Sequence, residues 1–188
     1  MTRQTEQTAR SVPRIEPGDR KQVGTFAWGF AQVSGLVTRT APPNLFLTMG
    51  RHPKLFRGWL RFAGRLMPGG TLPRRETELT ILRVAHLRQC AYEFEHHVRL
   101  GKRAGVTATD VERVKAGPDT DGWSPRERAL LRAADALHHT GDIDDATWTV
   151  LRTFLSEPAA IEFVLLVGHY EMLATFITTL RIQPDGAR

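Results

Sequence analysis

Apolar residues recur along this chain at intervals of three and four, and no segment sustains the apolar–polar alternation of a half-buried strand. That pattern restricts the fold to packed helices, since each amphipathic segment carries a stripe that another helix has to cover. KLFRGWLRFAGRLM sets Leu55, Phe56, Trp59, Leu60, Ala63 and Leu66 at helical spacing behind Pro53, which suits a first turn. RRETELTILRVAHLR brings Leu79, Leu82, Val84 and Leu87 near one stripe, with Glu76 and Glu78 at the positive end of the helix dipole. Ser124-Pro125-Arg126-Glu127 reads as a helix start, Thr107 with Asp110 as a capping pair, and Asp144 or Asp145 as the cap of TWTVLRTFL. EPAAIEFVLLVGHYEMLATFITTLRI is the most apolar helix and is expected to be the most buried. Its Glu162, His169 and Glu171 argue against a membrane span.

The length suits one domain with an arm. Residues 1–22, polar and punctuated by Pro and Gly, are expected to form a mobile N-terminal arm, and residues 23–184 a single all-α domain. The N-terminus lacks the apolar core of a secretory signal. Cys90 is the only cysteine, which excludes an internal disulfide framework and fits a reducing, cytoplasmic setting. The formal net charge is +6, but the arginines are spread along the chain. The row Arg57, Arg61 and Arg65 reads as a solvated helix face, and no zinc-finger spacing or ribonucleoprotein motif is present. Neither a nucleic acid nor a membrane is expected as a partner.

The chemistry concentrates in Glu78-x11-Cys90-x2-Glu93-x3-His97. On one helix, Cys90, Glu93 and His97 stand at i, i+3 and i+7 and share a face, so a thiol, a carboxyl and an imidazole lie side by side. Cys90 reads either as a small buried hydrophobe or as a reactive thiol. A helix N-terminus favours the thiolate, and a neighbouring carboxylate opposes it. Glu93 and His97 form an ordinary four-residue pair or, as we prefer, an acid–base pair. His96 is turned about 100° from His97 and reads as a flank residue. Tyr92, His96, His169 and Tyr170 are the candidates for lining a pocket, and His138-His139 for meeting a helix dipole. Arg83 or Arg88 could hold a substrate carboxylate. Glu93 and His97 would give a metal two ligands and the sequence nominates no third, so no metal or cofactor is expected.

The string LPRRETELTILRVAHLRQCAYEFEHHVRLGKRAGVTATDVERV, from Leu72 to Val114, resembles the carboxymuconolactone decarboxylase superfamily, which includes the alkyl hydroperoxide reductase D-type hydroperoxidases. Glu78, Cys90 and His97 fall on the hydroperoxidase glutamate, first cysteine and histidine. Glu93 stands where that branch has its second cysteine, so the two-cysteine disulfide cycle is closed to this chain. Glu93, His97 and Gly105 match the decarboxylase branch instead. The flanks APPNLF-x3-GRHPKLFRGW and WSPRERALLRAADALH through VGHYEMLA look like the same group. The resemblance implies an all-α, carboxymuconolactone decarboxylase-like domain in a homo-oligomer, a trimer or hexamer. It also implies a cofactor-independent enzyme acting on a small oxygenated carboxylic acid or lactone. His97 would be its general acid/base, Glu93 its orienting or proton-carrying partner, and Glu78 its support from the neighbouring helix. The alternatives are a one-cysteine hydroperoxidase using Cys90 and a non-catalytic oligomeric ligand-binding protein.

Overall fold

The computed structural model describes residues 12–186, and among them nine α-helices and no strand. These are α1 (Arg20–Thr38), α2 (Asn44–Met49), α3 (Pro53–Leu66), α4 (Arg74–Leu87), α5 (Ala91–Arg103), α6 (Ala108–Ala116), α7 (Pro125–Thr140), α8 (Asp145–Phe154) and α9 (Glu157–Leu180). Of the arm expected over residues 1–22, residues 1–11 lie outside the described residues. Arg20, Lys21 and Gln22 already form the first turn of α1, closed by a capping box between Asp19 and Gln22. Backbone contacts divide the chain into two units, Met1–Phe56 with Phe176–Arg188, and Arg57–Thr175.

In the described part of the first unit, α1 and α2 pack through Val23, Ala27, Ala31, Leu45 and Met49. Phe56 is fully buried there, its ring 5.9 Å from Phe30 and 6.2 Å from Phe46. No side chain of the preceding Pro43 can cap α2, and the C-terminal tail does so instead. The Asn44 N–H donates to Asp185 Oδ1 (2.8 Å), and Asn44 Nδ2 donates to the Gln183 carbonyl (3.0 Å).

The second unit is arranged around α4, which contacts α5, α6 and α7. Thr77 through Ala85 are buried without interruption, so this helix is covered on all sides rather than along one stripe. Leu79 and Leu82 pack with Val106, Val114, Trp123 and Leu131. Capping fixes the helices that surround it. Ser124 and Glu127 form a reciprocal box, Thr107 and Asp110 another, and Asp144 rather than Asp145 caps α8.

Two arginines of α4 tie its neighbours together. Arg75 reaches both Asp110 (2.8 Å) and Glu127 (2.9 Å). Arg83 makes a two-pronged pair with Asp135 (2.6 and 2.8 Å) and donates to the Val114 carbonyl (2.7 Å).

The α9 helix corrects one expectation. It is long and apolar enough to cross a membrane by length and composition, yet only half of that span is buried. Ile161, Val164, Leu165 and Met172 are exposed, and α4 is the more buried helix. The acids of α9 are engaged. Glu162 accepts from the Thr71 N–H (2.6 Å) and the Leu72 N–H (3.1 Å), and Glu171 pairs with Arg88 (3.3 Å) and His138 (2.7 Å). His138, in the last turn of α7 where the helix dipole is expected to meet it, also reaches across to α9.

Candidate active site

The site grows out of the junction between α4 and α5. The Cys90 N–H donates to the Ala85 carbonyl (2.9 Å) and the Gln89 N–H to the His86 carbonyl (3.0 Å). These two bonds are the Schellman pattern that closes a helix with a left-handed residue. That residue is Gln89, at φ 52°, where glycine is the usual choice. The turn delivers Cys90 as the N-cap of α5, with no side chain capping the helix. The two helices then run back against each other. At Gly101 a Cβ would stand 3.6 Å from the Glu78 Cβ, an ordinary contact, but only 3.2 Å from Val106, so the missing side chain makes room for Val106.

That approach joins the two halves of the motif. Glu78 of α4 and His97 of α5 are 0% and 4% exposed, and Glu78 Oε2 lies 2.7 Å from His97 Nδ1. The other carboxylate oxygen faces Arg74 at 2.6 Å, one turn back on α4, an ion pair whose angles fall short of a hydrogen bond. The sequence reading misses Arg74, although its i, i+4 spacing to Glu78 is a readable signal.

Glu93 lies on the same helix and is 2% exposed. Burial pushes its carboxyl up to about 8, the Cys90 thiol beside it offsets part of that rise, and the Glu171 charge adds to it. Neither Glu93 oxygen makes a hydrogen bond of regular geometry. A protonated Glu93 at neutral pH is therefore a proton donor next to a thiol. Cys90 itself is 3% exposed, and it forms part of the wall of a cleft of about 510 Å³ at the α4–α5 junction.

From α9, Tyr170 turns edge-on to His97 with ring centroids 5.1 Å apart. Burial, with Glu93 and Glu78 nearby, raises its phenol well above the ordinary value, so it stays protonated. His169 is 4% exposed, stands edge-on to Tyr170 at 5.2 Å and stacks on Trp59 at 5.8 Å. Burial, and then the nearby His97, push His169 down to about 4. His96 is half-buried with its ring 5.6 Å from His97, and burial lowers it to about 3, so it too is neutral at physiological pH. Tyr92 is buried on α5, but the helix turns it about 200° from Cys90, away from this face.

The structure thus brings together Glu78, His97, Tyr170 and His169, with Cys90 and Glu93 as a second pair. Trp59 and Phe62 of α3 join the aromatic wall around His169, a contact invisible without the tertiary fold. Both arginines suggested as a carboxylate clamp are already engaged within the chain. Arg83 is 7% exposed and engaged with Asp135, and Arg88 is engaged with Glu171 and the Thr175 hydroxyl. Among the described residues no three His, Cys, Asp or Glu side chains gather to hold a metal ion.

Residues 53–136, which carry Glu78, Cys90, Glu93 and His97, match the carboxymuconolactone decarboxylase family. No curated protein sequence matches the chain. Among solved structures, the chain is similar to an alkylhydroperoxidase AhpD core, an uncharacterised peroxidase-related protein from Ralstonia eutropha JMP134. The TM-score is 0.82 at 18% identity, over 93% of each chain. A peroxidase-related protein from Silicibacter sp. TM1040 gives 0.77 at 17% identity, over 98% of this chain and 95% of that one. The debrominase Bmp8 gives 0.78 at 20% identity over 92% of each chain, and a cysteine-to-alanine variant of that debrominase has been solved in complex with 2,3,4-tribromopyrrole. These likenesses establish the fold. Residues 53–136 are thus similar to the carboxymuconolactone decarboxylase family, and the likeness in fold extends beyond them.

Proposed function

We propose that the protein is a cofactor-independent enzyme that moves protons on a small oxygenated carboxylic acid or lactone. The buried contact between Glu78 Oε2 and His97 Nδ1 is the observation that carries this reading. With Nδ1–H donating to the carboxylate, the outer ring nitrogen is left as an acceptor, and Glu78 stabilises the imidazolium that forms when it takes a proton. Glu93, protonated at neutral pH, is the complementary donor. In a decarboxylation the bond to the leaving carboxylate breaks, and its electron pair enters the conjugated carbonyl of the substrate as an enolate. Carbon dioxide departs, and Glu93 or the protonated His97 returns a proton to carbon. Tyr170, held as a phenol against His97, can donate a hydrogen bond to the enolate oxygen.

The test is turnover on a panel of small carboxylated lactones and β-keto acids, followed by carbon dioxide release. Alanine at His97 is expected to reduce kcat about a hundredfold or more. Turnover that survives His97→Ala removes the assignment.

A second reading is favoured by the position of Cys90 in the cleft wall beside a protonated carboxyl. In a one-cysteine hydroperoxidase the Cys90 sulfur attacks a peroxide oxygen, the O–O bond breaks, and the alcohol leaves with a proton from Glu93 or His97. One external thiol condenses with the resulting sulfenic acid to a mixed disulfide, releasing water, and a second displaces Cys90 as the thiol and leaves as the external disulfide. A Cys90→Ser protein that still consumes hydroperoxide rules this out. For the assembly, we propose that a homo-oligomer covers the exposed apolar residues of α9, which light scattering with Leu165→Glu tests.

A further inference from the structure

Glu78 is fully buried, and its two oxygens meet two different partners. Oε2 lies 2.7 Å from His97 Nδ1, and Oε1 lies 2.6 Å from Arg74 Nη2. Among the described residues these are the ion pairs that Glu78 makes. Helix side chains lean toward the N-terminus, so Glu78 lies back over the turn that begins with Arg74. The Arg74 side chain is 39% exposed and thus connects solvent to the buried carboxylate.

The groups that face the pair from the packed helices carry little charge at neutral pH. On α5, burial raises Glu93 to about 8 and lowers His96 to about 3. On α9, burial lowers His169 to about 4 and raises the Tyr170 phenol well above its ordinary value. Arg99 is exposed on α5 and its charge bears on His96, while Glu171 is offset by Arg88 and His138. Water cannot stabilise a carboxylate that is fully buried, so a counter-ion has to. His97 supplies one only while its ring is protonated. Once the ring is neutral, that task falls to Arg74.

Without Arg74 the neutral ring and the carboxylate together carry an uncompensated buried charge, which a proton removes. The proton can settle on the carboxyl, which then donates to Nδ1 and sends the ring hydrogen to Nε2. It can also settle on the ring, which then carries hydrogen on both nitrogens. Either way Nε2 bears a hydrogen and no longer accepts one. We propose that Arg74 is a positioning residue: its cation on Oε1 keeps the His97 proton on Nδ1 and leaves the Nε2 lone pair free to take a proton from substrate. The inference rests on the proposed function for the use made of that lone pair.

Histidine 15N NMR of the full-length protein reads Nε2 directly, with the His97 signals assigned against a His97→Gln spectrum. As pH rises, the parent is expected to lose the hydrogen on Nε2 and keep the one on Nδ1. Arg74→Met and Arg74→Gln remove the cation at a partly exposed position. In both, the loss from Nε2 is expected ~1 pH unit or more higher, because a missing cation favours retention of the proton. Arg74→Lys keeps the cation and is expected to titrate near the parent. A purely structural Arg74 predicts lower melting temperatures with the Nε2 titration unmoved, and that result overturns the proposal. So does a lysine variant that titrates like the methionine and glutamine variants. The titration is read without turnover, so turnover that survives His97→Ala would remove the proposed function and leave the Arg74 result standing by itself.

Discussion

Glu78 and His97 come from different helices, are almost completely shielded from water, and still meet at 2.7 Å. A carboxylate–imidazole contact in such a place fixes which ring nitrogen carries the proton. Glutamine at position 78 offers both a donor and an acceptor and so no longer selects one tautomer. Glu78→Gln is expected to reduce kcat by about tenfold or more and to give mixed ring tautomers by 15N NMR of His97. A single unchanged tautomer with full turnover would show that Glu78 does not orient the ring.

Glu93 links stability to pH. Its folded pKa, about 8, lies above the unfolded value near 4.5. Between these values the native state holds a proton that the unfolded chain has released, so stability falls as pH rises from about 4.5 to about 8. The integrated effect is on the order of 4–5 kcal/mol at most. Denaturant titrations at pH 5, 7 and 9 should show the parent losing stability and Glu93→Gln losing much less. Parallel profiles for the two proteins would contradict the buried, protonated carboxyl.

His169 acts at the other end of the scale. Its folded pKa of about 4 lies below the unfolded value of about 6.5. Here the unfolded chain binds the extra proton, so this contribution is complete above pH 6.5 and is lost as pH falls toward 4. His169→Gln, which cannot protonate, is expected to flatten the stability decline between those pH values. A decline as steep as in the parent would place the acid sensitivity elsewhere.

Arg83 should behave as a structural residue. Arg83→Met removes both prongs from Asp135 and the donor from the Val114 carbonyl, and is expected to destabilise by about 2–4 kcal/mol. Thermal unfolding should fall by about 5–15 °C. An Arg83→Met protein as stable as the parent would show that these contacts contribute nothing to the fold.

Gln89 holds a left-handed conformation at φ 52°. Gln89→Gly is expected to stabilise the chain by about 0.5–1 kcal/mol, because the conformational penalty for a side chain there exceeds the added chain entropy of glycine. Urea unfolding measures this directly, and a destabilised variant would show that the Gln89 side chain makes a compensating contact.

What the sequence makes legible is local. Ser124, Thr107 and Asp144 cap their helices because capping is decided within four residues. The grouping of Cys90, Glu93 and His97 follows from helix periodicity alone. The remainder depends on distance along the chain. Arg83 reads as a ligand clamp in the sequence because its partner Asp135 lies 52 residues away. The Tyr170–His97 contact requires α9 to be placed against α5, which no spacing rule gives. The αL turn before Cys90 lacks the glycine that announces such turns. Composition points to α9 as the deepest helix because it measures apolarity and not coverage.

The junction of Arg88, Gln89 and Cys90 also bears on how the site comes into being. Glu78 and His97 are only 19 residues apart, and a tight turn is all that separates their helices. Short closures of this kind are entropically inexpensive and form early. The carboxylate–imidazole pair therefore belongs to one helical hairpin that can assemble as a unit, before the chain commits its more distant helices. Changes in α3 or α9 can reshape what surrounds the pair without having to rebuild the pair itself.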